Sequence, residues 1–179
     1  MNARTIRALG AASVFLIGGS GPVISESYTG QETRAIAALS EADTTALLQG
    51  EGWGFAKPAE LNGYPGPAHV LELSEELGLS AGQLGQIQGI EKDMRVNAKR
   101  LGAEMVAAEQ ALDRAFAEEE IDAERLVFLT GEAGRARSEL RAVHLAAHLE
   151  VTPLLTRHQI MMYNQLRGYG GGHEGHGSH

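Results

Sequence analysis

The chain has no cysteine. No disulfide can staple it, and no lipid can be attached to a cysteine behind an export signal, so its stability has to come from packing. Aromatic residues make up only 5% of the 179 positions, with a single Trp. That scarcity argues against a large pocket walled by rings and for slender helices packed through Ala, Leu and Ile. Basic residues are the minority, 15 against 23 acidic, for a formal charge of −8. Nucleic acid and anionic lipid are therefore poor partners, and cations are better ones. No apolar run reaches the roughly 20 residues that a membrane span needs, so stable insertion is not expected. Enzymatic signatures are missing as well. There is no phosphate-loop pattern and no serine nucleophile elbow, and the Gly-rich stretch Gly50 to Gly54 lacks the strand and helix that a dinucleotide loop requires.

What is present begins with an export signal. Arg4 and Arg7 precede the apolar run Ala8 to Gly18, and small residues follow, with Val23 and Ser25 suited to a cut preceding Glu26 and Gly18 and Ser20 offering a second position. Residues 1–25 are read as this signal, which implies a periplasmic protein; its removal takes the charge from −8 to −10. Residues 26–66 form an irregular segment broken by Gly and Pro, with one short helix from Ser40 to Leu48 closed near Gly50. Trp53, Phe55 and Tyr64 are expected to pin it to the rest. Residues 67–168 form the helical domain, and residues 169–179 a Gly- and His-rich tail without core character. In that tail His173, His176 and His179 recur every third residue, which suits either loose metal capture or a plain solvated end.

The helical domain is framed by one pattern used twice, Leu79-Ser80-Ala81-Gly82-Gln83-Leu84 and Leu155-Thr156-Arg157-His158-Gln159-Ile160. Each copy is a complete capping box: the hydroxyl takes the N3 amide, the Gln reaches back to the N-cap amide, and the flanking apolar pair forms a staple. Before the first copy, Pro67 starts a short helix expected to run to Leu77, with Gly78 behind it. After it, Ile87, Ile90, Met94, Ala98, Leu101, Met105, Ala108, Leu112 and Ala115 recur at spacings of three and four, the mark of one long helix of about 55 Å. Asp122 caps a second arm bearing Leu126, Leu129, Ala133, Ala136, Leu140, Val143 and Ala147. Pro153 interrupts that arm, and Thr156 launches a last helix to about Leu166. The fold class is all-α, a long antiparallel hairpin with short flanking helices. Its two-sided apolar stripe calls for a second copy to cover it, so a homodimer is expected.

With its signal, its two boxes, the hairpin between them and a His-rich end, the sequence resembles the periplasmic LTxxQ family from about Pro67 to Tyr169. That family includes the Spy/CpxP-like chaperones, the zinc-resistance-associated proteins and the CnrX-type metal sensors. The resemblance implies a non-enzymatic stress protein, either chaperone-like toward unfolded envelope proteins or metal-buffering. The alternative is a heavy-metal sensor that signals to a membrane partner. The marked acidity departs from the chaperone pattern.

Hairpin geometry adds a candidate site. His144 and His148, spaced i, i+4, share one helical face on the flank of the seam. If the turn centres near residue 120, residues whose numbers sum to about 240 lie side by side, which places His144 near Val96 and His148 near Lys92, with Glu91 and Asp93 in reach. His69, on the short first helix, falls alongside residues 87 to 89. The candidate ligands are thus His69, Glu91, His144 and His148, a nitrogen-rich set suited to Zn²⁺, Ni²⁺, Co²⁺ or Cu²⁺, with no cofactor obligatory. The bland alternative has His69 bonded locally and the other pair solvated beside Arg137 and Arg141. The CnrX-type pattern carries two histidines on its first helix, whereas here Leu73 stands four residues after His69.

Overall fold

The computed structural model describes residues 27–169. The predicted signal over residues 1–25 and the tail histidines His173, His176 and His179 lie outside the described residues. Within them the chain forms α1 (Glu41–Gln49), α2 (Lys57–Glu60), α3 (Pro67–Glu72), α4 (Ala81–Ala117), α5 (Ala123–Val151) and α6 (Arg157–Leu166), with a 3-10 turn at Thr152–Leu154 and no strand among the described residues. The all-α class expected from the sequence is the one observed, and α4 with α5 makes the long hairpin.

Both predicted capping boxes are formed. Ser80 and Thr156 accept the amides of Gln83 and Gln159, and each Gln side chain takes the amide of its own cap. The two boxes also meet. Gln83 Nε2 donates to Gln159 Oε1 at 2.9 Å and to the Leu154 carbonyl at 2.8 Å, while Gln159 Nε2 donates to Gln83 Oε1 and to the Leu77 carbonyl. One amide pair therefore ties the start of α4 to the start of α6. A third box opens α1, where Ser40 and Asp43 exchange bonds and the Trp53 indole donates to Asp43 at 2.8 Å. The bonds from Ser40 and then Trp53 hold the Asp43 carboxyl below its ordinary range.

The short helix ends earlier than predicted. Its helical run stops at Glu72 rather than Leu77, and the chain continues in turns. Ser74 sits where the extra turns of helix were expected, and a serine competes for backbone bonds better outside a helix than inside one. The closure at Gly78 is nevertheless as expected: Leu79 N–H reaches the Ser74 carbonyl, Gly78 N–H reaches that of Glu75, and Gly78 has φ 59°.

The same closing motif ends α4 without a glycine. Glu120 N–H bonds the Ala115 carbonyl at 2.9 Å, Glu119 N–H bonds that of Phe116 at 3.2 Å, and Glu119 takes φ 57°. A left-handed backbone costs a residue with a Cβ roughly 1 kcal/mol that glycine does not incur. Glu119→Gly is therefore expected to stabilise the fold by about 0.5–1 kcal/mol, read as a higher urea midpoint at unchanged slope; a lower midpoint would show that the strain is not there.

The core has two parts. In one, Ile36, Leu39, Leu47 and Phe55 of the N-terminal segment close over Ala98, Leu101 and Met105 of α4 and Ala136 and Leu140 of α5. In the other, Val70, Leu77, Ile87, Val151, Leu155 and Tyr163 pack at the open end. The expected register holds. A small hollow is walled by Ile90, Asp93, Met94 and Asn97 on α4 and by Val143, Ala146, Ala147 and Glu150 on α5. One expectation needs correction. Tyr64 does not pin the segment with its ring, which is exposed; Trp53 and Phe55 do so, stacking edge to face with centroids 5.2 Å apart. The middle of the stripe is covered by the chain's own α1 and the segment after it, and the exposed large apolar residues of α5 are Leu126, Val127 and Phe128 near the tip and Leu149 near the open end.

Candidate metal centre

Where the segment joining α1 to α3 crosses the hairpin, it leaves a cavity of about 620 Å³. His69, His144 and His148 all line it. The topology explains why: α3 carries His69 onto the open end, while the i, i+4 pair on α5 turns one face toward the crossing segment. The bland alternative left that face in solvent. Instead His144 is 3% exposed and His148 7%. The difference comes from the irregular segment, which carries too little periodicity to be placed from sequence. Its Phe55 ring stacks on His144 at 6.1 Å, and its Gly66 lies against the His148 ring.

Each histidine is set differently. His148 Nδ1 lies 2.7 Å from the Tyr64 carbonyl, which can only accept, so in the neutral ring it is Nδ1 that carries the proton and Nε2 that has the lone pair. His144 Nε2 is buried with no hydrogen-bond partner. Burial, and then the neighbouring His148 and Arg95, push the His144 pKa below its ordinary value, so the ring is neutral at neutral pH. His69 stays partly open, with Nδ1 3.4 Å from Glu60 Oε1.

Glu91 is not among the residues lining this cavity. One turn of α4 separates it from Arg95, whose Nε donates to it at 2.7 Å, and this local ion pair takes the carboxylate that hairpin arithmetic assigned to the histidines. Glu60 lines the cavity instead. It is nine-tenths buried at the end of α2, and its Oε1 receives the Tyr163 hydroxyl, the Tyr169 hydroxyl at 3.2 Å and the charge of Arg167 Nε at 3.5 Å. Oε2 is buried without a hydrogen-bond partner. Burial first, then the bond to Glu60, raises the Tyr163 phenol well above its usual range, so it remains a donor. Sequence reasoning passed over Glu60. The available signal was a lone carboxylate inside a stretch carrying Trp53, Phe55 and Tyr64, the segment already expected to lie on the helical body.

Three acidic residues, Glu51, Glu60 and Glu72, and three basic ones, Lys57, Arg95 and Arg167, line the cavity, so its fixed charges balance. Among the described residues, no three His, Asp or Glu side chains already stand grouped to hold a metal ion.

A family model described as heavy-metal resistance matches residues 54–161. The chain belongs to the heavy-metal resistance family. The matched span contains Glu60, His69, Glu91, His144 and His148 together with both capping boxes. Neither the curated proteins nor the solved structures give a match to this chain. Family membership makes interaction with metal the chemistry to weigh against the cavity. The residues fit it in two respects: His144, with an orphaned buried imidazole nitrogen, and Glu60, with an orphaned buried carboxylate oxygen, line the same cavity. No helix among the described residues is long and apolar enough to cross a membrane.

Proposed function

We propose that this heavy-metal resistance protein is a non-enzymatic stress protein of the cell envelope that takes up a divalent transition-metal ion, Zn²⁺, Ni²⁺, Co²⁺ or Cu²⁺, at His69, His144 and His148. The observation that carries the reading is His144 Nε2, neutral, buried and unpartnered beside two other histidines of the same cavity. A buried polar atom left unpaired costs about 1–3 kcal/mol, and a ligand that engages it recovers that cost. Imidazole nitrogens suit these ions. The envelope location rests on Arg4, Arg7 and the apolar run behind them.

Capture of metal is favoured over the cradling of unfolded proteins because the middle of the hairpin stripe is already filled by Ile36, Leu39, Leu47 and Phe55. A sensor that signals to a membrane partner is the second reading. His69 stands on α3 and the other two histidines on α5, so an ion drawing them together ties separate parts of the fold, a differential contact of the kind a switch needs.

Calorimetric titration of Zn²⁺ into a full-length chain carrying His173→Ala, His176→Ala and His179→Ala tests the proposal. One ion is expected to bind, at least tenfold more weakly once His144→Ala and His148→Ala are added. Undiminished affinity in that double variant, or disappearance of binding with the tail substitutions alone, would assign the metal elsewhere.

A further inference from the structure

Glu60 is placed as few carboxylates are. It is 9% exposed, it lines the cavity, and its two oxygens are treated unequally. Oε1 accepts the Tyr163 and Tyr169 hydroxyls, and Arg167 Nε at 3.5 Å and His69 Nδ1 at 3.4 Å lie beside it. Oε2 has no hydrogen-bond partner, and the nearest ring nitrogen, His148 Nδ1 at 3.7 Å, already gives its proton to the Tyr64 carbonyl. A carboxylate that served only as a structural acceptor has no reason to keep one oxygen bare in a buried place, where an unmade bond is costly. Ligating carboxylates, in contrast, are themselves hydrogen-bonded by outer groups that aim the free oxygen.

Gly66 sharpens the point. A Cβ built on it would fall 2.9 Å from His148 Nε2 and 3.4 Å from Glu60 Oε2, with His148 Cε1 at 2.7 Å. Its φ of −86° is open to any residue, so backbone conformation does not explain the glycine. The absent side chain leaves room where the free nitrogen of His148 and the free oxygen of Glu60 both look onto one position. Glu91, the carboxylate that spacing suggested, is occupied by Arg95.

We propose that Glu60, through Oε2, supplies the carboxylate ligand of this site, with Tyr163 and Tyr169 acting as positioning residues on Oε1. The assignment rests on the metal-binding reading above and adds the residue and the oxygen. It also makes α6 and the residues just after it the outer support of the site, since Tyr163 and Tyr169 lie there. A carboxylate oxygen joined to imidazole nitrogens is a donor set that Zn²⁺ accepts.

Co²⁺ is the probe, titrated into the full chain with the three tail histidines replaced by alanine and followed by its visible d–d band, with circular-dichroism melts of each variant alongside. Glu60→Gln is expected to weaken Co²⁺ binding at least tenfold and to change the band, while Glu91→Gln stays within about threefold of the parent. If Glu60→Gln binds as the parent does while His144→Ala loses binding, the Glu60 assignment fails and the histidine site stands. If the parent shows no d–d band, both fail. Should Glu60→Gln not fold, Glu91→Gln still decides: a tenfold loss there returns the carboxylate to Glu91 and overturns the proposal, and unchanged binding supports it.

Discussion

Gly102→Ala is expected to lower the melting temperature of the chain by about 4–8 °C, equivalent to roughly 2 kcal/mol for a domain of this size. In an ordinary helix the change is favourable, because alanine gains about 1 kcal/mol over glycine in a helix interior. Here the missing Cβ has a reason. Built on Gly102, it would stand 2.1 Å from the Leu47 carbonyl oxygen and 2.8 Å from the Leu47 carbonyl carbon. Those atoms are backbone near the end of α1, and Leu47 itself is fully buried, so no side chain can swing aside. The overpacking cost, about 1–3 kcal/mol or more where the neighbour cannot yield, exceeds the helical gain. Because Trp53 donates to Asp43 on α1, its fluorescence should shift red as α1 lifts away. Gly85→Ala and Gly89→Ala serve as controls: nothing lies within 4 Å of either position on the same helix, so both should raise stability by up to about 1 kcal/mol. A Gly102→Ala protein that melts at or above the parent would mean that α1 does not sit this close to α4.

That contact also marks where sequence reasoning ran out. Most of what period and cap carry was legible: the boxes at Ser80 and Thr156, the Asp122 cap, the break at Pro153, the closure at Gly78 and the register that sets Met94 and Asn97 against Val143 and Ala147. Those signals are local, and each residue type has one physical reason to stand where it does. The irregular segment from Tyr28 to Pro67 has no period from which its path can be read. Its position on the hairpin is decided by long-range packing of Ile36, Leu39, Leu47 and Phe55. Three consequences followed. The burial of His144 and His148 is not legible, because the element that covers them carries no period from which it can be placed. Glu60 was missed for the same reason. Glu91 was favoured because its distance along a helix could be counted, whereas its competition with Arg95, four residues on, was not weighed. The candidate site was thus half legible: the histidines lining the cavity follow from helix geometry, and the presence of Glu60 there depends on a segment with no geometry of its own in the sequence.

Gln159→Ala is expected to cost about 2–4 kcal/mol, more than an isolated cap. The capping role alone accounts for about 1 kcal/mol, since the Oε1 of Gln159 takes the Thr156 amide at 2.9 Å. The rest comes from the far side of the same amide. Gln159 is 7% exposed, and its Nε2 serves the Leu77 carbonyl at 3.2 Å and Gln83 Oε1 at 3.3 Å, while its Oε1 takes the Gln83 Nε2. Truncation leaves those partners buried and unpaired, at about 1–3 kcal/mol for the group. Gln83→Ala should cost less, because Gln83 is only half-buried and solvent can replace part of what is lost. The two losses should not add. Urea denaturation of the parent, both single variants and the double variant gives a cycle in which the interaction energy is expected at about 1–2 kcal/mol, with the double variant less damaged than the sum of the singles. Additivity within about 0.3 kcal/mol would mean that each glutamine only caps its own helix. A measured coupling would give the repeated motif a reason beyond helix initiation: its glutamine faces two ways, closing its own cap with the oxygen and locking the opposite copy with the nitrogen. That lock fixes α6, and with it Tyr163 on Glu60, against the end of the hairpin where the histidines lie.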